Sequence, residues 1–286
     1  MNKSNDDKVV NKSNDDKVRL SPVVFFLSTL GLIAVIAAIF PSWFTPYNPH
    51  GIDATAILSG PSWQHPFGTD ELGADVLARI IYGIRLELAI ASGSVAIATI
   101  LAIPSGLFAG YQGGWTDWLF TIIADSIQSF PIVLFAVLIV ASLGASIGTL
   151  IGVLAFVFLP RIFRLVRGQT QTIKVTGYVR SAEAMGLRTP IILIRHILPN
   201  TLGPVLVIVP QLMAIAVLIE AGLSFIGLGV QPPNISWGAL LLVSKNYYIA
   251  APWYPLAVGI ITTLTSAALV FSGDIAAASV NPSRRP

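Results

Sequence analysis

Long runs without a single charged side chain constrain the fold of this chain more than any other feature. Only 11% of the 286 residues are charged, whereas soluble domains carry about a quarter. The charge-free runs lie between Arg19 and Asp53, Glu87 and Asp117, Asp125 and Arg161, Arg195 and Glu220, and Lys245 and Asp274. Because a helix needs about 20 apolar residues to cross a bilayer, the pattern predicts an all-α integral membrane protein.

The runs predict six transmembrane helices, with the third and fourth joined by a tight hairpin at SLGASIG, residues 142–148. We place the helices at residues 22–43, 87–109, 118–141, 146–166, 202–226 and 254–274. The first is longer than a signal-peptide core and lacks a cleavage site, so we expect an anchor. The resulting domains are a tail at 1–21, the first helix at 22–43, an extracytoplasmic segment at 44–86, a core domain with helices 2 to 6 at 87–282, and a tail at 283–286.

Basic residues orient these helices. With the N-terminus inside, the cytoplasmic side holds 14 of the 17 lysines and arginines, seven of them between Arg161 and Arg195. The positive-inside rule therefore predicts cytoplasmic N- and C-termini. It also accounts for the basic composition without invoking nucleic acid.

The first tail contains a perfect tandem copy of NKSNDDKV, at residues 2–9 and 11–18. This polar segment has no hydrophobic periodicity and is expected to be disordered. A local duplication or a start-site artefact explains the copy better than a docking function does.

The extracytoplasmic segment contains a second helical pattern. Thr69 or Asp70 is positioned to cap a helix that begins near Glu71, with acidic residues in its first turn. Its apolar side chains predict a helix that lies on the outer membrane surface or packs over the bundle. Contact with an extracytoplasmic substrate-delivering protein is the functional alternative.

The residues at 176–200 form a polar interruption between two apolar runs. Tyr178, Ala182 and Met185 share one face of a short amphipathic helix, and Gly186 is suited to end it. Small Ala182 would allow close approach, while the other two side chains would anchor in a partner's groove. The pattern predicts a coupling element on which a soluble partner acts; the alternative is a passive hairpin on lipid headgroups.

A few polar side chains occur within the predicted spans, where each is costly unless satisfied. Gln128 and Gln211 are candidates for lining a polar conduit. Glu220 fits either a structural contact or a gate in the pathway. Asp125 and Asp274 are placed close to the cytoplasmic headgroups.

The sequence lacks the residues that several classes of protein require for their function. The chain has no cysteine, its three histidines are scattered without metal-ligand spacing, and no GxxxxGK[ST] phosphate loop occurs. We therefore expect no catalytic site, metal or cofactor in this chain, and energy supplied by a partner. A secondary transporter is the rival class, although no inverted repeat is evident; an intramembrane enzyme or a channel fits less well.

Three separated segments resemble the permease subunits of dipeptide, oligopeptide and nickel ABC importers. FGTDELGADVLARIIYGIRLEL resembles their GTD-x-LGRDV-x-SR-x-x-x-GxRxSL segment, and LSFIGLGVQPPNISWGALL at 223–241 resembles LSFLGLGVQPPxPSWG. FSGD at 271–274 resembles their LLGD. The resemblance covers about residues 22 to 282, with the motifs in the family's order.

The polar interruption resembles the family's EAA loop, which contacts the ATPase. The positions of that pattern fall on Arg180, Ser181, Ala182, Gly186, His196, Leu198 and Pro199. Arg180 stands where the family has Glu, and Glu183 is a candidate substitute. The predicted ATPase-coupling surface therefore combines these positions and Glu183 with Tyr178 and Met185, which the helical spacing adds.

The resemblance implies a type I ABC importer permease fold in the bacterial cytoplasmic membrane. It also implies a second related permease chain, two ATPase subunits that bind ATP and Mg, and an extracytoplasmic solute-binding protein. The expected cargo is a di- or oligopeptide, with nickel, a metal chelate or an antimicrobial peptide as alternatives.

Overall fold

The computed structural model describes residues 22–280, and these residues form helices joined by turns and by one long irregular segment at 44–75, with no strand among them. The tandem copy, the tail at 283–286 and the side chain of Asp274 lie outside what is described. The helices are α1 (Pro22–Ile39), α2 (Val76–Gln112), α3 (Gly114–Gln128), α4 (Ile132–Leu143), α5 (Ile147–Lys174), α6 (Gly177–Ala184), α7 (Thr189–Ile192), α8 (Leu198–Phe225), α9 (Trp237–Ser244) and α10 (Trp253–Val280). A π-helical turn, Leu193–Ile197, joins α7 to α8.

Local side-chain caps explain where several helices begin. Asp75 accepts a hydrogen bond from the Ala78 N–H at the start of α2, and Ser146 caps α5 in the same way through Thr149. Such caps satisfy backbone donors that have no partner within the helix. These starts follow from the adjacent sequence.

The centre of the bundle is the pair α2 and α5, and α8 packs against both. Gly106 and Gly110 let α2 approach α5 closely. A Cβ on Gly106 would lie 2.8 Å from Cβ of Val166, and one on Gly110 would lie 2.8 Å from the carbonyl oxygen of Arg167. Small residues four apart allow this spacing between membrane helices. On the other side of the bundle, α10 packs along α8 and α1.

The helix expected to start near Glu71 is not a separate element. Asp70 accepts hydrogen bonds from Leu72 and Ala74, and so closes a turn. The backbone then passes through Gly73 at φ +76°, a conformation that a helix does not contain. The helix begins at Val76 and continues to Gln112, so the predicted surface helix and second span are one element whose first turns pack into the bundle.

The predicted third span, 118–141, is broken. α3 and α4 meet at an angle of 80° across residues 129–131, because Pro131 cannot continue a hydrogen-bonded helix and disfavours helical geometry in the residue before it. Among the described residues four helices are long and apolar enough to cross a membrane, and the bent pair makes five if it forms one span. α1 is a further apolar helix. The count of six spans stays a prediction.

Candidate coupling and translocation sites

The amphipathic helix predicted in the polar interruption is α6, and it ends as its sequence indicates. Gly186 follows the last turn with φ +79°, and its N–H donates to the Glu183 carbonyl. Leu187 N–H donates to the Ala182 carbonyl at 3.2 Å. This backward pairing after a left-handed glycine is a standard way to end a helix.

The two faces of α6 differ from the predicted arrangement. Ala182 is 1% exposed and Val179 is fully buried, so both side chains pack against this chain rather than toward a partner. Contact between Ala182 and a partner stays a prediction. Tyr178 and Met185, 48% and 74% exposed, point outward as expected, and Ser181 lies between them on the open face.

A polar contact fixes α6 to the end of α2. The Tyr111 hydroxyl donates to Oε1 of Glu183 at 2.7 Å. Lys174, the last residue of α5, donates to the Tyr111 carbonyl and lies 5.2 Å from the centre of the Tyr111 ring. Glu183 thus has a partner inside the chain, and Tyr111 is a residue of this segment that sequence analysis missed because it lies far away in the chain.

Leu198 and Pro199 lie in a continuous helical path from α7 to α8. The preceding π-helical turn, Leu193–Ile197, has a local cause, since Pro199 has no N–H and its ring would clash with the carbonyl one regular turn earlier. Asn200 follows and donates to the Tyr178 hydroxyl at 3.4 Å. α6 is therefore connected to α8 both by the chain and by a side-chain contact. The side chain of Arg180 is exposed.

Glu220 belongs to a buried cluster, here called the acid junction, that consists of Glu87, Glu220, Ser224, Ser236 and Trp237. Ser224 donates to Glu220 at 2.6 Å, and Ser236 donates to Ser224 at 3.1 Å. The backbone N–H of Trp237 donates to Oε1 of Glu87 at 2.9 Å. The second carboxyl oxygen of each glutamate, Oε2, is buried and has no hydrogen-bond partner among the described residues.

The acid junction joins α2, α8 and α9. Its two glutamates are 1% and 0% exposed, which favours the structural interpretation of Glu220 over a gate in the pathway. Sequence analysis treated Glu87 only as the boundary of an apolar run and missed the pair. Its apolar neighbours on both sides were a signal that its side chain is buried.

Gln128 lines a cavity of about 450 Å³, here called the bend cavity, where α3 breaks before α4. Arg161 and Arg164 of α5 line the same cavity, together with six apolar residues that include Ile215 of α8. Gln211 precedes Ile215 by one helical turn, so it lies on the same face of α8. The structure thus brings Gln128 near the helix face that carries Gln211, and leaves Glu220 in the acid junction.

Two ion pairs connect α3 to α5 beside the bend cavity. Asp125 contacts Arg164 at 2.5 Å, and Asp117 pairs with Arg167, whose Nη2 lies 2.6 Å from Oδ2. The predicted hydration of Asp125 is thus partly replaced by an arginine contact. Among the side chains that the structure describes, no group of three histidine or acidic residues is arranged to hold a metal ion.

Comparisons with known proteins agree on one kind of protein. Residues 102–286 match the family model described as "Binding-protein-dependent transport system inner membrane component". The dipeptide transport system permease protein DppC of Alkalihalophilus pseudofirmus is 36% identical over 252 residues, 87% of this chain and 83% of that protein. A putative peptide transport system permease of Brucella suis is 35% identical, covering 85% and 82%. The glutathione transport system permease protein GsiD of Escherichia coli is 35% identical, covering 85% and 80%.

Proposed function

The chain belongs to the family of binding-protein-dependent transport system inner membrane components, and from this premise we propose that it imports peptides or related small solutes by using ATP hydrolysed on partner subunits. It is a permease subunit of a bacterial inner-membrane ABC transporter. Beyond this family membership, we propose which solute is transported, how ATP hydrolysis is coupled to movement of the helices, and which subunits form the complex.

The exposed face of α6 is the observation that carries the coupling proposal. Met185 and Tyr178 are large side chains left open to solvent, on a helix that is held to α2 through Tyr111 and to α8 through Asn200. An ATPase groove that takes these two side chains would move α6 together with both long helices. Arg180 and Ser181 border this surface, while Ala182 and Glu183 hold α6 in place from its inner side.

The relatives support a peptide-like cargo. Their names state dipeptide, peptide and glutathione transport, and all three are small solutes with peptide bonds and free carboxylates. Gln128 and Gln211 offer amide groups on one side of the bundle, where peptide N–H and C=O groups would find partners. Nickel or a metal chelate is the second candidate, carried only by the resemblance of the sequence motifs.

The proposed complex pairs this chain with a second, related permease chain above two ATPase subunits that hold ATP and Mg. An extracytoplasmic solute-binding protein delivers the cargo. Exposed apolar side chains on the outer surface of α4, such as Leu134 and Leu138 at 65% and 61%, suit contact with lipid or with that second chain.

The test is a reconstituted complex in liposomes that carries Met185→Asp. Because Met185 is on the surface, the variant is expected to insert and assemble with normal thermal stability. We expect at least a roughly tenfold loss of ATP-driven dipeptide uptake, since a charge would be buried in the proposed groove. Met185→Leu, which keeps the volume and apolarity, is the matched control and should retain uptake.

Normal uptake by Met185→Asp would refute the coupling surface. Uptake by this chain alone on an ion gradient, with no ATPase present, would instead assign the protein to the secondary transporters. Wild-type complexes that hydrolyse ATP but move nickel and no peptide would favour the second cargo.

A further inference from the structure

The bend cavity carries an unbalanced positive charge. Three polar side chains line it, Gln128, Arg161 and Arg164, and no carboxylate is among its lining residues. Arg164 is paired with Asp125 at 2.5 Å. Arg161 makes no hydrogen bond or ion pair with any side chain that the structure describes. One guanidinium group therefore faces the cavity without an anion.

The position of Arg161 makes this unpaired charge significant. Arg161 lies within the span predicted at residues 146–166, roughly 21 Å along α5 from its first residue, Ile147, at about 1.5 Å per residue. This places it towards the predicted cytoplasmic end of the span, at the bend cavity. Charged side chains within spans are costly, face protein interiors or water-filled cavities, and mark pathways for solutes and ions.

The shape of the cavity suits a small solute. Its volume of about 450 Å³ is within the usual range for small-molecule sites. Apolar side chains such as Phe130, Ile132 and Phe158 form most of its wall, and the amide of Gln128 lies among them. Apolar walls with a few polar groups accept variable side chains while fixing one charged end of a ligand.

We propose that Arg161 is a transient binding site for the carboxylate of the transported solute. The planar guanidinium group presents parallel donors that match a carboxylate. Gln128 would pair with the adjacent peptide bond, and the apolar wall would receive the solute's side chain. This assignment rests on the proposed function, and it narrows the cargo to solutes with a free carboxylate, because a bare divalent cation would be repelled by Arg161.

A lipid headgroup phosphate offers similar chemistry and is the competing occupant. The neighbouring Gln128 amide favours the solute, because a lipid phosphate has no peptide bond with which this amide could pair. The experiment must therefore separate an occupant that comes with the peptide from one that comes with the membrane.

The chain contains no cysteine, so one introduced thiol reports on the cavity. We would place Ile132→Cys in the wall, reconstitute the complete transporter, and measure maleimide labelling of this chain during turnover with dialanine. Leu134→Cys, on the same helix but not among the lining residues, is the control position. The membranes are phospholipid vesicles in one arm and vesicles of an uncharged glycolipid in the other.

We expect dialanine to slow labelling of the Ile132→Cys variant and not of the Leu134→Cys variant, in both lipids. Adding Arg161→Gln to the Ile132→Cys variant should abolish this protection and slow dialanine uptake roughly tenfold, the effect of losing one charge-assisted hydrogen bond. Arg161→Lys keeps the positive charge but lacks the parallel donors of the guanidinium group. It should therefore retain part of the protection and part of the dialanine uptake.

Three results would overturn the proposal. The first is a complex that imports dialanine although dialanine does not slow labelling of the Ile132→Cys variant. The second is protection from labelling that persists when Arg161→Gln is added. The third is protection that depends on phospholipid and not on peptide. Each leaves the proposed function standing. A wild-type complex that imports no peptide would instead refute the proposed function itself.

Discussion

Two regions of this molecule place ionisable side chains among apolar helices, and they do so in opposite ways. In the acid junction, Glu87 and Glu220 are almost fully buried, and each accepts a hydrogen bond through Oε1, while Oε2 of each has no described partner. In the bend cavity, Arg161 has no partner among the side chains that the structure describes and faces open space. A polar group that is bonded within the chain holds helices together, whereas one that makes no bond is available to a ligand that comes and goes.

The largest expected effect comes from breaking the close packing around the acid junction. A Cβ on Gly238 would lie 2.3 Å from the Ala221 carbonyl oxygen and 2.5 Å from Cβ of Ser224. Gly238→Ala should therefore destabilise the fold by about 3 kcal/mol, because backbone must move. Gly259→Ala, with no atom within 4 Å of the added Cβ, is the control. Equal melting temperatures for the two variants in detergent would contradict this packing.

The next effect tests the hydrogen bonds of the junction. Glu87→Ala removes the acceptor of the Trp237 backbone N–H, and should cost about 2 kcal/mol for the buried donor left unsatisfied. Glu87→Gln keeps a carbonyl acceptor, so it should stay within about 1 kcal/mol of wild type. Thermal unfolding of both variants measures the difference. If Gln is as damaging as Ala, the hydrogen bond from Trp237 does not hold α9 to α2.

A smaller effect is expected at the ion pairs between α3 and α5. The side chains of Arg164 and Asp125 are 44% and 56% exposed, so Arg164→Gln should change stability by less than about 1 kcal/mol. Arg167 and Asp117 are 27% and 16% exposed, and Arg167→Gln should destabilise more. Melting temperatures in one detergent give the ranking. The reverse order would mean that the Asp125 pair supports the bend.

The smallest effect concerns Glu71, outside the spans. Burial raises the pKa of Glu71 above its usual value of 4.5, and the nearby Asp70 adds to this. Since the folded state holds the proton more tightly, this stabilising contribution is complete below pH 4.5 and is lost as the pH rises through the folded-state pKa. Melting temperatures from about pH 4 to about pH 7 should therefore fall less for Glu71→Gln than for wild type. Parallel curves would show that Glu71 titrates normally.

Much of the fold could be predicted because it depends on composition and on neighbouring residues. Charge-free runs located the helices α2, α5, α8 and α10, since the cost of placing charge in lipid acts on each segment separately. The end of α6 at Gly186 was also predictable, because a left-handed residue after a helix strongly favours glycine. The family followed from motifs in the right order, which the comparison of residues 102–286 confirmed.

The sites could be predicted only in part. Met185 and Tyr178 were placed correctly on an open face, but helical spacing alone could not show that Ala182 lies on the inner side, against the bundle. Gln128 was selected for its polarity in an apolar run, and the same criterion selected Glu220, which proved to be in the acid junction. Polarity in a span indicates that a partner is needed, and does not say whether that partner is internal.

The sequence by itself thus determined the membrane class, the helix positions and the family, because bilayer energetics and capping act locally along the chain. Only the tertiary structure decided that Glu87 accepts from Trp237, that Tyr111 holds α6, and that Arg161 is left facing a cavity. The 80° bend before Pro131 depends on both the sequence and the tertiary structure, because proline stops the helix but packing sets the angle. Contacts between residues far apart in the chain depend on how helices pack, and packing is a property of the whole bundle.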